Sequence, residues 1–501
     1  MNAFTQLSAQ QLWVNYISAT VNPINKMVAD PSGNVYVAGY NSNGGFLVKY
    51  FTTGQTEWQL SGLSFVSTIA IDNSSNIYLG GTALSNSNGQ DYIVYKYDSS
   101  GVLLWSQTYD GIYHQDDGVT AICIDNSGNV YVTGISDSLM TSRSYCTLKY
   151  NSGGVLQWAK RYVNSMFNFN QATAIATDNS GNVYVTGNSN DPISTNWGFA
   201  TVKYNSTGTQ LWDVRYDGPN NTSIGSPCAI AIDPSGNIIV TGYSGNSSSG
   251  ASNYATLKYN SSGVQQWVQL YNGVGNDDDE ATALALDAAG NIYVTGFSYS
   301  SISDYDFVTV KYNNAGTQQW FVPYNGQSNN ADKATAIALD AAGNVFVTGS
   351  SFDSLTNNDF ATVKYSNNGN LSWNETFNTI NNGSDIPSSI AVDQQGNTYV
   401  SGPAGSQYAT IKYGIATGIT ETNSQISFSV YPNPSSGIFT IENLSNNSEM
   451  EIYNSLGQKI FQSEIENPKS EIDLSDQTNG IYFVKVKTGK EIFTEKIIIQ
   501  K

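Results

Sequence analysis

This chain of 501 residues is poor in the side chains that most often carry chemistry. It has one histidine, His114, and three cysteines, Cys123, Cys146 and Cys228. A single histidine excludes a His-rich zinc site and any His-based triad that does not use His114. The cysteines stand at strand positions, two of them where neighbouring segments carry Ala. They therefore read as small buried hydrophobes and not as a disulfide framework or metal cluster. His114 lies in the loop sequence YHQDDG and reads as solvated. Cationic residues are also scarce, with 21 Lys and Arg against 40 Asp and Glu and a net charge of −19. Without a basic patch to neutralise phosphates, nucleic acid and anionic membrane are poor partners. No apolar run reaches the roughly 18 residues of a membrane-spanning helix. The abundant Asn, Ser, Gly and Tyr fit a large β surface better than disorder.

What the chain has in quantity is one phrase. DNSGNVYVTG at 125–134 recurs in eight copies aligned on Asp30, Asp72, Asp125, Asp178, Asp233, Asp287, Asp340 and Asp393, each with a Gly nine residues later. The steps are 42, 53, 53, 55, 54, 53 and 53 residues, longer than solenoid repeats of about 20–47 and close to propeller blades. Within each copy, period-2 alternation rich in Val, Ile, Thr and Tyr marks four short strands, and four strands make a blade.

Two further marks show how the ring closes. Lys49, Lys96, Lys149, Lys203, Lys258, Lys311, Lys364 and Lys412 each precede a Tyr, and the first seven are followed nine residues on by Trp58, Trp105, Trp158, Trp212, Trp267, Trp320 and Trp373. Lys412 has no such Trp, whereas Trp13 in QLWVNYI has no Lys-Tyr before it. Residues 11–17 are therefore expected to supply the outer strand of the last blade, which removes an exposed seam. The expectation is an all-β fold: an eight-bladed propeller over 11–413, or seven blades if the copy at Asp72 is degenerate, closed by the N-terminal strand.

The repeated phrase reads as turn chemistry. Its Asp caps the turn and its Gly takes positive φ, so Ser75, standing where that Gly should be, predicts a strained or differently shaped turn. The string lacks the alternating ligands of an EF-hand calcium loop. The eight lysines read either as blade-stabilising stems lying along aromatics or beside acids, or as a ring of binding lysines. The Trp series reads as packing between blades.

ATALALDAAGNIYVTG and DFATVKYSNNGNLSW resemble the SBBP-type β-propeller repeat of secreted bacterial proteins, over about 11–413. That family implies the fold and no single activity. After a linker at 414–425, residues 426–501 alternate as strands between Pro-Asn-Pro, Ser-Ser-Gly, Leu-Gly and Asn-Gly breaks, which argues a small β-sandwich. Tyr431-Pro432-Asn433-Pro434, Leu456-Gly457-Gln458-Lys459, Asn479-Gly480-Ile481-Tyr482 and the Lys-rich end resemble the type A C-terminal sorting domain of the Bacteroidetes type IX secretion system. The resemblance implies contact with that secretion machinery, export through the outer membrane and a secreted or cell-surface location. Residues 1–10 resemble the end of a signal peptide, with Leu7-Ser8-Ala9 before Gln10, and imply cleavage near Ala9 with the true start upstream.

Function is expected where the repeats differ. The first-to-second and third-to-fourth turns are monotonous and share one face; the other connections vary and share the opposite one. From Trp to the next motif Asp the count is 17 and 14 at first and 20 or 21 thereafter, and from motif Gly to Lys it is 10 in the first and last copies and 15 or 16 between. The variable face should be low at the closure and raised elsewhere. The raised part is acidic and partly aromatic, with Asp116, Asp117, Asp304, Asp306, Asp353, Asp359 and Trp197 as candidate ligand-binding residues. Asp277, Asp278, Asp279 and Glu280 are candidate Ca²⁺ ligands by their clustered oxygens. The favoured reading is a monomeric, non-catalytic surface propeller that binds a glycan or protein. A polysaccharide hydrolase or lyase is the alternative, needing paired carboxylates about 5–9.5 Å apart, for which Asp117 with Asp278 or Asp279 are the first candidates. A structural surface component is the third.

Overall fold

A computed structural model describes residues 9–18, 25–84, 89–138, 142–163, 169–190, 197–219, 223–246, 251–379, 382–415, 429–442, 448–454, 458–465, 467, 469–488 and 491–501. The expected signal-peptide remnant up to Ser8, the linker from 416 to 425 and the Leu456-Gly457 turn lie outside them. The chain divides into two compact units, Met1–Ala416 and Thr417–Lys501.

The described residues of the first unit pair into eight four-stranded antiparallel sheets arranged as a β-propeller. We number the sheets by their residues: first 25–63, second 65–109, third 117–162, fourth 170–216, fifth 223–271, sixth 279–324, seventh 332–377. The eighth combines Ser389–Val392, Thr398–Ala404 and Gln407–Ile415 with Ala9–Ser18 as its outer strand. Trp13 pairs with Lys412 in that last ladder, as Trp158 does with Lys149 in the third sheet.

Burial follows strand order. Second strands such as Val130–Ser138 begin with a run buried on both faces, which is why they are written in β-branched and aromatic residues. Fourth strands such as Leu156–Tyr162 are exposed at their start and half-buried along most of their length. The turn phrase accounts for itself bond by bond. Asp125 Oδ1 accepts the Ser127 and Asn129 amides, and Oδ2 accepts Asn129 Nδ2 at 2.7 Å and the Tyr131 hydroxyl at 2.9 Å. Gly128 takes φ of 75°. Gly134, which ends the phrase, is required for a different reason. A Cβ there would lie 2.0 Å from the Gly118 carbonyl oxygen, because the first strand bulges between Val119 and Ala121.

The second copy keeps the same turn. Ser75 donates its amide to Asp72 O at 2.9 Å, and Asp72 donates to Asn76 O at 3.0 Å, with Ser75 at φ of 59°. The substitution is thus expressed as backbone strain and leaves the turn's hydrogen bonds intact.

Neighbouring sheets are tied by the other repeated marks. Lys149 Nζ and Trp158 Nε1 both donate to Ser206 O of the next sheet, at 3.1 and 3.2 Å, with the ammonium 5.2 Å from the Tyr131 ring centroid. The same clamp joins the first sheet to the second at Ser99 O, and the fourth to the fifth at Ser261 O. At the closure, Trp13 Nε1 and Lys412 Nζ share Thr52 O at 3.1 and 3.0 Å. Threonines of the first strands add a second tie, as Thr120 Oγ1 donates to Ala172 O at 2.8 Å. Seven of the eight lysines make this clamp among the described residues, and Lys364 lies along an aromatic, 4.7 Å from the Phe346 ring centroid. Lys258 also carries an ion pair: Ile239 replaces the usual Tyr, and Lys258 Nζ sits 2.8 Å from Asp233 Oδ2 with both side chains almost fully buried.

The second unit has a three-stranded sheet, Ser429–Tyr431, Ile438–Glu442 and Lys469–Asp473, and a four-stranded sheet in the order Lys459–Ile465, Ser448–Asn454, Gly480–Thr488, Glu491–Ile499. Phe439, Ile441, Ile452, Ile472, Val484 and Ile497 lie between them as a common apolar core.

Candidate functional site

On the motif-turn face the Asp of the turn is committed to local bonds, as Asp125 is, and the connections that differ from copy to copy form the opposite, variable face. Its connections are built on a second repeat, one not apparent from the phrase itself. In four junctions a residue after the fourth strand bonds to the residue four positions on: Asp110 to His114, Asn272 to Asn276, Asn325 to Asn329 and Asn378 to Asn382. The later partner in each pair has positive φ, between 48° and 53°. His114 therefore stands where the related loops carry Asn. It is exposed, and its bond to Asp110 holds the imidazole pKa above its ordinary value.

The same loops are anchored by carboxylates that open the next sheet. Asp117 Oδ2 accepts the Gly111 amide at 2.6 Å, Asp279 Oδ2 that of Gly273 at 2.7 Å, Asp332 Oδ2 that of Gly326, and Asp385 Oδ2 that of Thr379 at 2.7 Å. All four side chains are buried. Burial pushes each carboxyl above its ordinary pKa, aided by a neighbouring acid: Asp110 beside Asp117, Asp278 beside Asp279, Asp306 beside Asp332, Asp359 beside Asp385. Asp117 and Asp279, first choices for catalysis, thus hold the same position as Asp332 and Asp385, which sequence reasoning passed over. The signal was present as an acid six residues after Gly111, Gly273, Gly326 and Thr379. Asp117 opens the third sheet and Asp279 the sixth, so they are three junctions apart around the ring.

The remaining acidic candidates are also placed individually. Asp116 Oδ1 accepts the Gln90 amide at 3.0 Å, and Asp278 Oδ1 accepts the Ser252 amide and hydroxyl, both at 3.1 Å. Each latches its loop to the preceding sheet. Asp277 Oδ1 accepts the Asp278 amide. Asp306 and Asp359 open third strands and accept Ser303 Oγ at 2.6 Å and Thr356 Oγ1 at 2.7 Å. Asp353 accepts Ser328 Oγ and the Leu355 amide. Asp304 is exposed at φ of 62°, and Trp197 is half-buried opposite Asn190 at the start of a third strand. Asp277, Asp278, Asp279 and Glu280 are consecutive in sequence, but the first three turn their carboxylates to separate backbone partners and do not gather as one ligand set. The cysteines are free, and burial pushes their thiols up to about 12, away from nucleophilic chemistry.

What the fold does bring together is a group from three sheets. Lys333 Nζ lies 4.0 Å from the Tyr305 ring centroid and 4.4 Å from that of Phe297. The two rings meet edge to face at 5.3 Å, and Tyr299 packs on Tyr305 at 5.4 Å. Glu280 is half-buried beside them: burial and Asp278 raise its pKa while Lys333 lowers it. Tyr243 of the fifth sheet has its pKa raised by burial and by Glu280. Glu280 and Lys333 occupy the position seven before the motif Asp, where other copies carry Gly118, Gln171, Ser226 and Ile386. Variation at that one position was the available signal.

Where the connections are short, at the first and second sheets, the surface forms a cleft of about 660 Å³ lined by Tyr40, Leu63, Phe65, Thr82, Leu84 and Gln90. Tyr40 and Phe65 pack there at 5.3 Å, and Leu84 is 87% exposed.

Comparison with known proteins bears on both units. Residues 429–500 match the secretion system C-terminal sorting domain family, and residues 170–194 match the SBBP beta-propeller repeat family. Among solved structures, PorZ, an essential surface component of the type IX secretion system of Porphyromonas gingivalis, is 14% identical over 97% of this chain and 71% of its own, at a TM-score of 0.34. Virginiamycin B lyase from Staphylococcus aureus is 11% identical over 67% of this chain and 95% of its own, at 0.40. A Bacteroides caccae protein of unknown function is 11% identical over 60% and 93%, at 0.33. Likeness at this level carries nothing about ligand or activity. No curated protein matches the chain. The sorting domain marks the protein for export by the type IX system to the cell surface or beyond. The described residues contain no helix long and apolar enough to cross a membrane.

Proposed function

We propose that the exported propeller is a non-catalytic binding protein that holds a polysaccharide on its variable face, over the fifth to seventh sheets. The observation that carries this reading is the group formed by Tyr243, Glu280, Phe297, Tyr299, Tyr305 and Lys333. Half-buried aromatic rings offer flat apolar surface to a sugar face, while an adjoining carboxylate and ammonium satisfy its hydroxyls. The surrounding Asp277, Asp278 and Asp304 would repel a polyuronate, so a neutral chain fits better. The binding reading is further supported by the structural duty of Asp117 and Asp279, which they share with Asp332 and Asp385. The test is affinity electrophoresis and calorimetry of the protein against neutral and acidic polysaccharides. Tyr305→Ala and Lys333→Met should each weaken retention by a neutral polysaccharide at least about tenfold, the equivalent of about 1.4 kcal/mol. Retention by none of them, or retention unchanged in both variants, would refute the site, and release of new reducing ends would refute the non-catalytic part.

A further inference from the structure

The junction between the fifth and sixth sheets brings together an amine, a carboxylate and a carboxamide. Lys258 Nζ lies 2.8 Å from Asp233 Oδ2, with 4% of the lysine side chain and none of the aspartate side chain exposed. The same Nζ donates to the Asn314 carbonyl oxygen at 3.1 Å and touches Asn314 Oδ1. Trp267 Nε1 donates to that carbonyl at 3.3 Å, so the Asn314 backbone is fixed by two donors of the preceding sheet. Asn314 Cγ lies one bond behind the oxygen that Lys258 touches, and Nδ2 is turned towards Gly290, 2.6 Å from a Cβ position built there.

Among the described residues no other junction joins all three groups in this way. Ser99, Ser152, Ser206 and Ser261 stand where Asn314 does, and a serine side chain has no acyl carbon. The sixth–seventh junction does have the asparagine, with Asn367 in contact with Lys311 Nζ. There the Tyr293 hydroxyl engages both other groups, at 3.1 Å from Asp287 Oδ2 and 3.2 Å from Asn367 Oδ1. In the fifth sheet the completely buried Ile239 replaces that tyrosine, so nothing from this position competes for Asp233 or Asn314.

We propose that Lys258 and Asn314 form an intramolecular amide bond that joins the fifth sheet to the sixth, with Asp233 carrying the proton. Nζ passes a proton to Asp233 Oδ2, which removes two buried charges and frees the amine lone pair. The lone pair attacks Asn314 Cγ, the Nζ–Cγ bond forms and the Cγ–Nδ2 bond breaks. Of the three ammonium protons, one stays on the new amide, one reaches Nδ2 through Asp233, and the third departs with the ammonia as ammonium. No oxidant or reductant enters. The folded sheets hold both reactants in contact, and fixed proximity supplies the acceleration. Burial raises the Asp233 carboxyl, but the bonds from Lys258 and Asn237 outweigh it and hold the group below its ordinary pKa. The neutral pair is therefore a minority state, and the bond forms slowly after folding. Once it has formed, Asp233 Oδ2 accepts the amide N–H in place of the ammonium. The inference is independent of the polysaccharide reading, since Asn314 lies in a third-to-fourth turn on the motif-turn face.

The experiment is mass spectrometry of the full chain, intact and after digestion. The parent should be lighter by one ammonia, and digestion should yield a branched peptide joining Lys258 to Asn314. The branched peptide is the decisive readout, because cyclisation of an N-terminal glutamine or of an Asn-Gly pair also releases ammonia. Asn314→Ser copies the related junctions and keeps the carbonyl that Lys258 and Trp267 share, so it folds and should lose both the branch and that ammonia deficit. Ile239→Tyr restores the usual tyrosine and should slow formation of the branch at least about tenfold. Asn367→Ser should leave it unchanged. Separate recovery of the Lys258 and Asn314 peptides from the aged parent, or an equal ammonia deficit in Asn314→Ser, would overturn the bond. An unslowed Ile239→Tyr would overturn the part given to Asp233.

Discussion

Replacing Trp13 by alanine should loosen the ring at its closure, by an amount that the structure allows to be worked out. The indole packs on Tyr50 and Tyr399 at 6.0 and 6.1 Å, and Gly54 lies directly against it. Truncating a buried Trp costs about 3–5 kcal/mol, and the half-buried state of Trp13 places it at the lower end. The lost Nε1 bond adds little, because Thr52 O keeps its bond from Lys412 Nζ and is not orphaned. The sum is about 3 kcal/mol. With an unfolding entropy of about 2.1 cal/mol/K per residue over a ring of about 400 residues, the melting temperature should fall by about 3–4 °C. Differential scanning calorimetry should be run beside Trp158→Ala, whose indole makes the same contacts inside the ring with Tyr131, Tyr204 and Ser206 O. Equal losses are expected. A fall in Trp158→Ala with no change in Trp13→Ala would show that the N-terminal strand does not close the ring.

Three further outcomes follow from the same contacts. Ser75→Gly should stabilise the propeller by about 1 kcal/mol, seen as a higher denaturant midpoint at unchanged slope, because it relieves left-handed backbone at φ of 59°. Lys258→Met should cost about 3 kcal/mol or more, since it leaves Asp233 without its buried ion pair, whereas Lys149→Met should cost only about 1–2 kcal/mol in the same melts. Acid titration should show two opposed regimes. Burial works against the charge on Asp72, Asp125, Asp178 and Asp287, but their Asn, Tyr and backbone bonds outweigh it and hold the carboxyls below the usual 3.8. Their stabilisation is present above 3.8 and lost as pH falls through the lowered values. Asp117, Asp279, Asp332 and Asp385 are raised, so their ionisation opposes folding at neutral pH and that cost disappears as pH falls through the raised values. The melting temperature should therefore hold or rise as pH falls from 7 through the raised values and drop only below the usual 3.8, as the lowered carboxyls take up protons; a steady decline from neutrality would contradict the burial of these acids.

Much of the scaffold is legible in the sequence because it rests on short-range chemistry. Asp125, Gly128, Asn129 and Tyr131 satisfy one another within seven residues, so their spacing states their role. The orphan Trp13 and the unanswered Lys412 name each other across the chain because every other Lys and Trp is already matched. The candidate site was less legible. Asp117 and Asp279 stood out as acids in loops, yet their work is to hold the Gly111 and Gly273 amides. Lys333 is one polar residue near the start of a strand, and nothing local to it announces Phe297 or Tyr305.

The sequence by itself determined the repeat, its four-stranded unit, the chemistry of its turns, the strand that completes the last sheet and the separate export domain. These depend on periodicity and on hydrogen bonds between residues close along the chain. Only the tertiary structure decided that seven of the Lys and Trp pairs meet on one carbonyl of the following sheet, that Asp91, Asp110 and Asp117 lie close together, and that Glu280 and Lys333 flank an aromatic group. Those contacts cross from one sheet to the next, where side chains meet according to the register and stacking of whole sheets. No spacing within a single repeat encodes that register.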